Sequence, residues 1–210
     1  MKFTIIGGTM ESKFALEYVA TKLQELMPGA QISTYTYGFA MKHKDEINKA
    51  INGRVLITHS TGAMVMKSGA NPVRAIFISP SQPISRAKLL LRAATKTLVH
   101  SWKIFSVKPR RQVLRILASN VFEMIVHPVL NLKPFITGDV SRFDLRKILP
   151  RHPVAGETRI IISSHDEMFA PNENIFDELE AHGVDLVHVD AMHDEIFLDT
   201  ERILSAALKR

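Results

Sequence analysis

Short apolar runs alternate along the chain with longer segments whose apolar positions recur every three or four residues. The short runs predict strands at Lys2–Ile6 (KFTII), Gln31–Tyr37 (QISTYTY), Arg54–Thr58 (RVLIT), Val73–Ser79 (VRAIFIS), Thr158–Ser163 (TRIIIS) and Val184–Val189 (VDLVHV). The periodic segments predict helices at Glu11–Met27, Lys42–Ile51, Thr61–Gly69, Asn172–Ala181 and Asp194–Leu208. Pro28-Gly29 closes the first of these, and Asn52-Gly53 the second. Three strands, at 55–58, 73–79 and 158–163, are almost continuously apolar, as expected when both faces of a sheet are covered. The fold class that follows is α/β: a mostly parallel six-stranded sheet with helices on both faces.

One stretch breaks the alternation. Residues 84–150 carry thirteen Lys/Arg against three acids (Glu123, Asp139, Asp144), a net charge of +10. The rest of the chain has fourteen basic and eighteen acidic residues, a net charge of −4. So sharp a change predicts a separate unit, with 1–83 and 150–210 forming the core and 84–149 a helical basic cap inserted in it. Within the insert the pattern predicts helices at Arg86–His100, Pro109–Val126 and Arg142–Leu149, with a loop at Asn131–Asp139. An apolar stripe there is expected to cover a site as a lid. Its basic surface raises a second possibility, an anionic membrane or anionic substrate, and ranks nucleic acid last, since aromatic residues are sparse and no recognition motif occurs.

The absence of cysteine excludes disulfides, thiolate metal sites and a cysteine nucleophile. No apolar run is long enough to span a bilayer, and the opening MKFTIIGG is too short for a signal peptide, so a cytoplasmic location is expected.

In a parallel sheet, sites form beyond the C-terminal ends of the strands. At those ends the sequence places Gly7-Gly8-Thr9-Met10, then Ser60 in THSTG, then Ser164-His165-Asp166, then Asp190-Ala191-Met192-His193. A serine, an acid and a histidine therefore share one sheet edge, in the chain order Ser60, Asp166, His193. Glu167 competes with Asp166 as the acid. His59 reads as a residue packing the turn, and His188 as a strand residue. The grouping of His188, Asp190, His193 and Asp194 imitates a zinc site, but nothing in the spacing makes those side chains converge.

This arrangement resembles the α/β-hydrolase superfamily. THSTG is similar to the G-x-S-x-G strand–turn–helix elbow, SSHDEMFAP to the loop bearing the family's acid, AMHDEIF to the loop bearing its histidine, and GGTMES to its oxyanion loop. Thr58 stands where the elbow usually begins with glycine, and Gly7 where many members have histidine. The resemblance implies Ser60 as nucleophile, His193 as base and Asp166 as its orienting acid, with the backbone N–H groups of Thr61 and Thr9 as oxyanion donors. It implies a serine hydrolase acting on a small-molecule carboxylic ester or thioester, with no cofactor and no metal. The alternatives are cleavage of another acyl bond, such as an amide or lactone, or a binding protein that keeps the fold without turnover.

Overall fold

The computed structural model describes residues 1–67, 69–89, 91–92, 110–149, 157–166, 168–169 and 173–209. Six strands, β1 (Lys2–Ile6), β2 (Gln31–Tyr35), β3 (Val55–His59), β4 (Arg74–Ile78), β5 (Thr158–His165) and β6 (Asp185–Met192), form one sheet in the order β2-β1-β3-β4-β5-β6. All five pairings are parallel. Parallel neighbours need a crossover, and helices supply it on either face. Alternate residues of the central strands feed two cores. Leu56, Ala75, Phe77, Ile160 and Ile162 face one way. Ile5, Ile57, Ile76, Ile78 and Ile161 face the other.

On the second face lies α1 (Lys13–Leu26). The Ser12 side chain accepts from Ala15 N and opens it. Ala15, Leu16, Val19 and Leu23 are its buried stripe. Helices Glu195–Leu198 and Thr200–Leu208 pack beside it, through Ile196, Phe197, Ile203 and Leu204. The first face is covered by helices Tyr37–Lys42, Lys44–Ala50 and Glu173–Ala181.

Two predicted elements take another form. The helix expected at Thr61–Gly69 is a 3-10 turn, Ser60–Val65. Its carbonyls are claimed before a helix can propagate: Lys44 Nζ donates to Met64 O at 2.6 Å and Asn48 Nδ2 to Val65 O at 2.8 Å. Asn48 Oδ1 also accepts from Lys67 N at 2.8 Å. The loop expected at Asn131–Asp139 is instead mostly helix, Pro128–Ile136, followed by the short helix Asp139–Arg142. Pro128 sits at a helix start, where its missing N–H costs nothing, while burial of Asn131 and Phe135 carries the helix past Pro134.

The other differences are smaller. The helix expected at Arg142–Leu149 shortens to a 3-10 turn, Leu145–Lys147. The closing helix divides at Asp199 into the two just named. Helix Arg110–Val126 follows its predicted bounds closely. The helix expected at Arg86–His100 is seen at 86–89 and 91–92, and the remainder falls outside the described residues. Among the described residues no helix is long and apolar enough to cross a membrane.

Candidate active site

Strand β3 carries the first piece of the site. All five of its residues are buried, and the chain turns sharply at its end, leaving Ser60 at φ 53°. A left-handed backbone is unfavourable for a residue with a Cβ, and such strain persists only where its surroundings enforce it. One enforcing contact is Gly62. A Cβ there would lie 2.5 Å from Ile6 O and 2.8 Å from Gly7 O, so only glycine lets the turn press against the end of β1.

The second piece comes from β5. Its pairing with β6 shifts register between Ser163 and His165, and the chain then leaves the sheet at Asp166. Asp166 Oδ1 accepts from Met168 N at 2.8 Å and Phe169 N at 2.6 Å, which fixes the carboxylate plane. Its other oxygen, Oδ2, accepts from His193 Nδ1 at 2.8 Å. His193 leaves the end of β6, and its Nε2 lies 2.9 Å from Ser60 Oγ. Because Nδ1–H donates to Asp166, Nε2 is left as the acceptor for the Ser60 hydroxyl. Ser60, Asp166 and His193 are all buried, and the Phe169 ring lies 5.4 Å from the His193 ring. The structure thus brings these three expected residues into one hydrogen-bonded run. Glu167, the competing acid, lies outside the described residues. His188 and Asp190 are exposed on β6, and Asp190 pairs with His165 at 3.0 Å.

The expected oxyanion donors also meet here. Thr61 is in the first turn of the 3-10 helix, where N–H groups have no acceptor within the helix. Thr9 N donates to Thr61 Oγ1 at 2.6 Å, so the side chain of one residue occupies the backbone donor of the other.

Sequence reasoning missed a second buried pair. His59 Nδ1 donates to Glu11 Oε1, and His59 Nε2 donates to the carbonyl of His193 at 2.8 Å. Both partners only accept, so both ring nitrogens carry protons and His59 is an imidazolium. Burial pulls its pKa down, but the Glu11 carboxylate, through charge and hydrogen bond, outweighs that, with smaller help from Asp194 and the His193 carbonyl. The net effect pushes it up to about 9. Gly7 and Gly8 make room for this pair. A Cβ on Gly7 would lie 2.7 Å from Glu11 Oε2, and one on Gly8 would lie 2.8 Å from Glu11 Oε1 and 2.9 Å from Ser60 Cβ. The signal in the sequence was a double glycine four residues before a lone glutamate, with no mark of its partner 48 residues away.

His59, His193 and Asp194 bring potential metal-ligand atoms within 4.8 Å of one another. The two histidines already spend their ring nitrogens on Glu11, Ser60, Asp166 and a carbonyl.

Above this edge lies a small apolar cluster. Met168 and Phe169 meet Leu89, Phe135 and Val140 from the segment between β4 and β5, with Met10 and Met64 at its border.

No family model and no curated protein matches the sequence. Solved structures do resemble the chain in backbone. A hydrolase from Pseudomonas aeruginosa is 15% identical, with a TM-score of 0.63 over 99% of this chain and 88% of its own. An enol-lactonase from Burkholderia xenovorans is 13% identical, with a TM-score of 0.62 over 99% and 91%. The thioesterase domain of the curacin biosynthetic pathway is 14% identical, with a TM-score of 0.59 over 99% and 91%. The chain has the α/β-hydrolase fold.

Proposed function

We propose that the protein is a serine hydrolase that cleaves a carboxylic ester or thioester through an acyl-enzyme. The observation that carries this reading is the run of hydrogen bonds from Ser60 through His193 to Asp166. A serine hydroxyl is a weak nucleophile, so His193 Nε2 takes its proton as Oγ attacks the substrate carbonyl carbon. Asp166 holds the imidazole in the required tautomer and stabilises the imidazolium that forms. The substrate carbonyl oxygen gains negative charge and is held by the N–H groups of Thr61 and Thr9. To serve, Thr9 N–H exchanges Thr61 Oγ1 for that oxygen. Losing one such donor typically costs about 2.7–4 kcal/mol of transition-state stabilisation. The tetrahedral intermediate collapses, and the leaving alcohol or thiol takes the proton from His193. Water then attacks the acyl-enzyme carbonyl, passing its proton to His193. The acid departs as Ser60 recovers its hydrogen.

The cluster around Phe135, Met168 and Phe169 borders His193 and favours an apolar acyl group. On this reading the 84–149 segment serves as the cap over the site.

Labelling with a fluorophosphonate, followed by mass spectrometry of the modified peptide, tests the proposal. Modification at Ser60, and turnover of a p-nitrophenyl ester that vanishes in Ser60→Ala, are expected. A folded protein that leaves Ser60 unlabelled, or an Ser60→Ala variant that turns over normally, overturns it.

A further inference from the structure

Helices on soluble proteins normally turn their apolar stripe inward. Helices Arg110–Val126 and Pro128–Ile136 turn a second apolar stripe outward. Their inner side mixes Val113, Ile116 and Phe135 with polar groups that bond the loop after β1. Asn120 Oδ1 accepts from Ser12 N at 2.9 Å, Ser119 Oγ meets Ser12 Oγ at 2.7 Å, and Asn131 Oδ1 accepts from Met10 N at 3.1 Å. Their outer side carries Leu114, Phe122 and Ile125, then Val129, Leu132 and Ile136, at helical spacing. Phe122 is 66% exposed, Ile125 67% and Val129 70%. Single exposed apolar residues need no explanation, but a row of them across two consecutive helices marks an interaction surface.

The charge around the row selects what it meets. Arg111 and Arg115 are exposed at one end, and Lys133 lies among the apolar residues of the second helix. Asp139 and Asp144, two of the three acids of the segment, are paired with Arg142 and Arg146. A second copy of the chain would bring two +10 segments face to face, which like-charge repulsion opposes. Nucleic acid would use the charge but leave the apolar row in water. An anionic bilayer uses both: apolar side chains enter the boundary between headgroups and acyl chains while Arg and Lys meet the headgroup phosphates. We propose that these two helices form a docking face for an anionic lipid surface, on which the protein lies without crossing it. Through Asn120 and Asn131, on the opposite side, the same helices are bonded to the loop that carries Thr9.

The test reads binding alone and uses Ser60→Ala protein, so its outcome does not depend on hydrolysis. The protein should sediment with phosphatidylglycerol vesicles at low salt, bind phosphatidylcholine vesicles at least about tenfold more weakly, and be released as salt is raised. Arg111→Gln and Arg115→Gln should each weaken binding about fivefold. Phe122→Asp with Ile125→Asp should abolish it while leaving circular dichroism and the unfolding temperature unchanged. A protein that stays in the supernatant at low salt overturns the proposal. So does binding that survives Phe122→Asp with Ile125→Asp, which leaves charge alone as the cause. A dimer in sedimentation velocity that those substitutions dissolve assigns the face to a second copy and also overturns it.

Discussion

The sheet and the 84–149 segment are held in place by different means. In β3 and β4 every side chain but that of Arg74 is buried, most of them apolar, and each strand is paired on both sides. The two long helices of the insert bury few large side chains and attach to the loop after β1 through Ser119, Asn120 and Asn131. Substitutions at the buried centre of the sheet should be costly at most positions. The insert is sensitive at a few polar points and tolerant across its outer face. The candidate site lies where the two meet, with its hydrogen-bonded run supplied wholly by the sheet and its apolar cluster shared.

The sharpest way to break the sheet's half is at Asp166. Asp166→Asn keeps the shape and favours the wrong tautomer of His193, so the rate of ester cleavage should fall about 10⁴-fold. An unfolding temperature near that of the wild type, measured alongside, separates this loss from misfolding. Next in size is the core itself. Leu56→Ala empties space at the centre of the sheet and should cost about 2–5 kcal/mol in urea unfolding. The same truncation at exposed Leu114 should change stability by under about 0.5 kcal/mol. Equal losses at the two sites would erase the contrast.

The pair of His59 and Glu11 gives the sheet side a pH dependence. The folded-state pKa of His59 is raised, so the stability it contributes is whole below about 6.5 and is lost as pH climbs through about 9. Urea unfolding should show a decline over that window, on the order of 3 kcal/mol. Glu11→Gln should flatten it. A decline of the same size in Glu11→Gln would assign it to other groups.

The smallest effect sharpens the attachment of the insert. Asn131→Ala leaves the Met10 N–H without its acceptor and should cost about 1–3 kcal/mol. The variant's rate should fall more than its affinity for substrate, because Met10 follows Thr9, the proposed oxyanion donor, in the same loop.

Much of this was written in local pattern. The six strands lie close to where continuous or alternating apolar runs put them, because a strand buried on both faces has little choice of composition. Ser60, Asp166 and His193 were legible because each follows a strand directly, and parallel pairing brings those ends to one edge. What stayed hidden was tertiary. The Glu11–His59 bond joins residues that carry no shared signature. The helix Pro128–Ile136, where the pattern predicts a loop, includes Asn131 and Pro134, two residues of poor helix propensity whose burial no local pattern shows. The 3-10 turn Ser60–Val65 is cut short by Lys44 and Asn48, from the helix that precedes β3 in the chain, through side-chain bonds that no local pattern marks.

The strand order sets a schedule for assembly. From β3 outward each new strand adds to the edge left by the one before it, through β4 and β5 to β6. A chain that folds as it is made can therefore complete the turn bearing Ser60 long before β6 delivers His193, 133 residues later. On the proposed function the hydroxyl has no base until then, and a half-made chain is chemically silent toward the acyl compounds around it. Reactivity of Ser60 toward a fluorophosphonate would accordingly report a folding event at the far edge of the sheet.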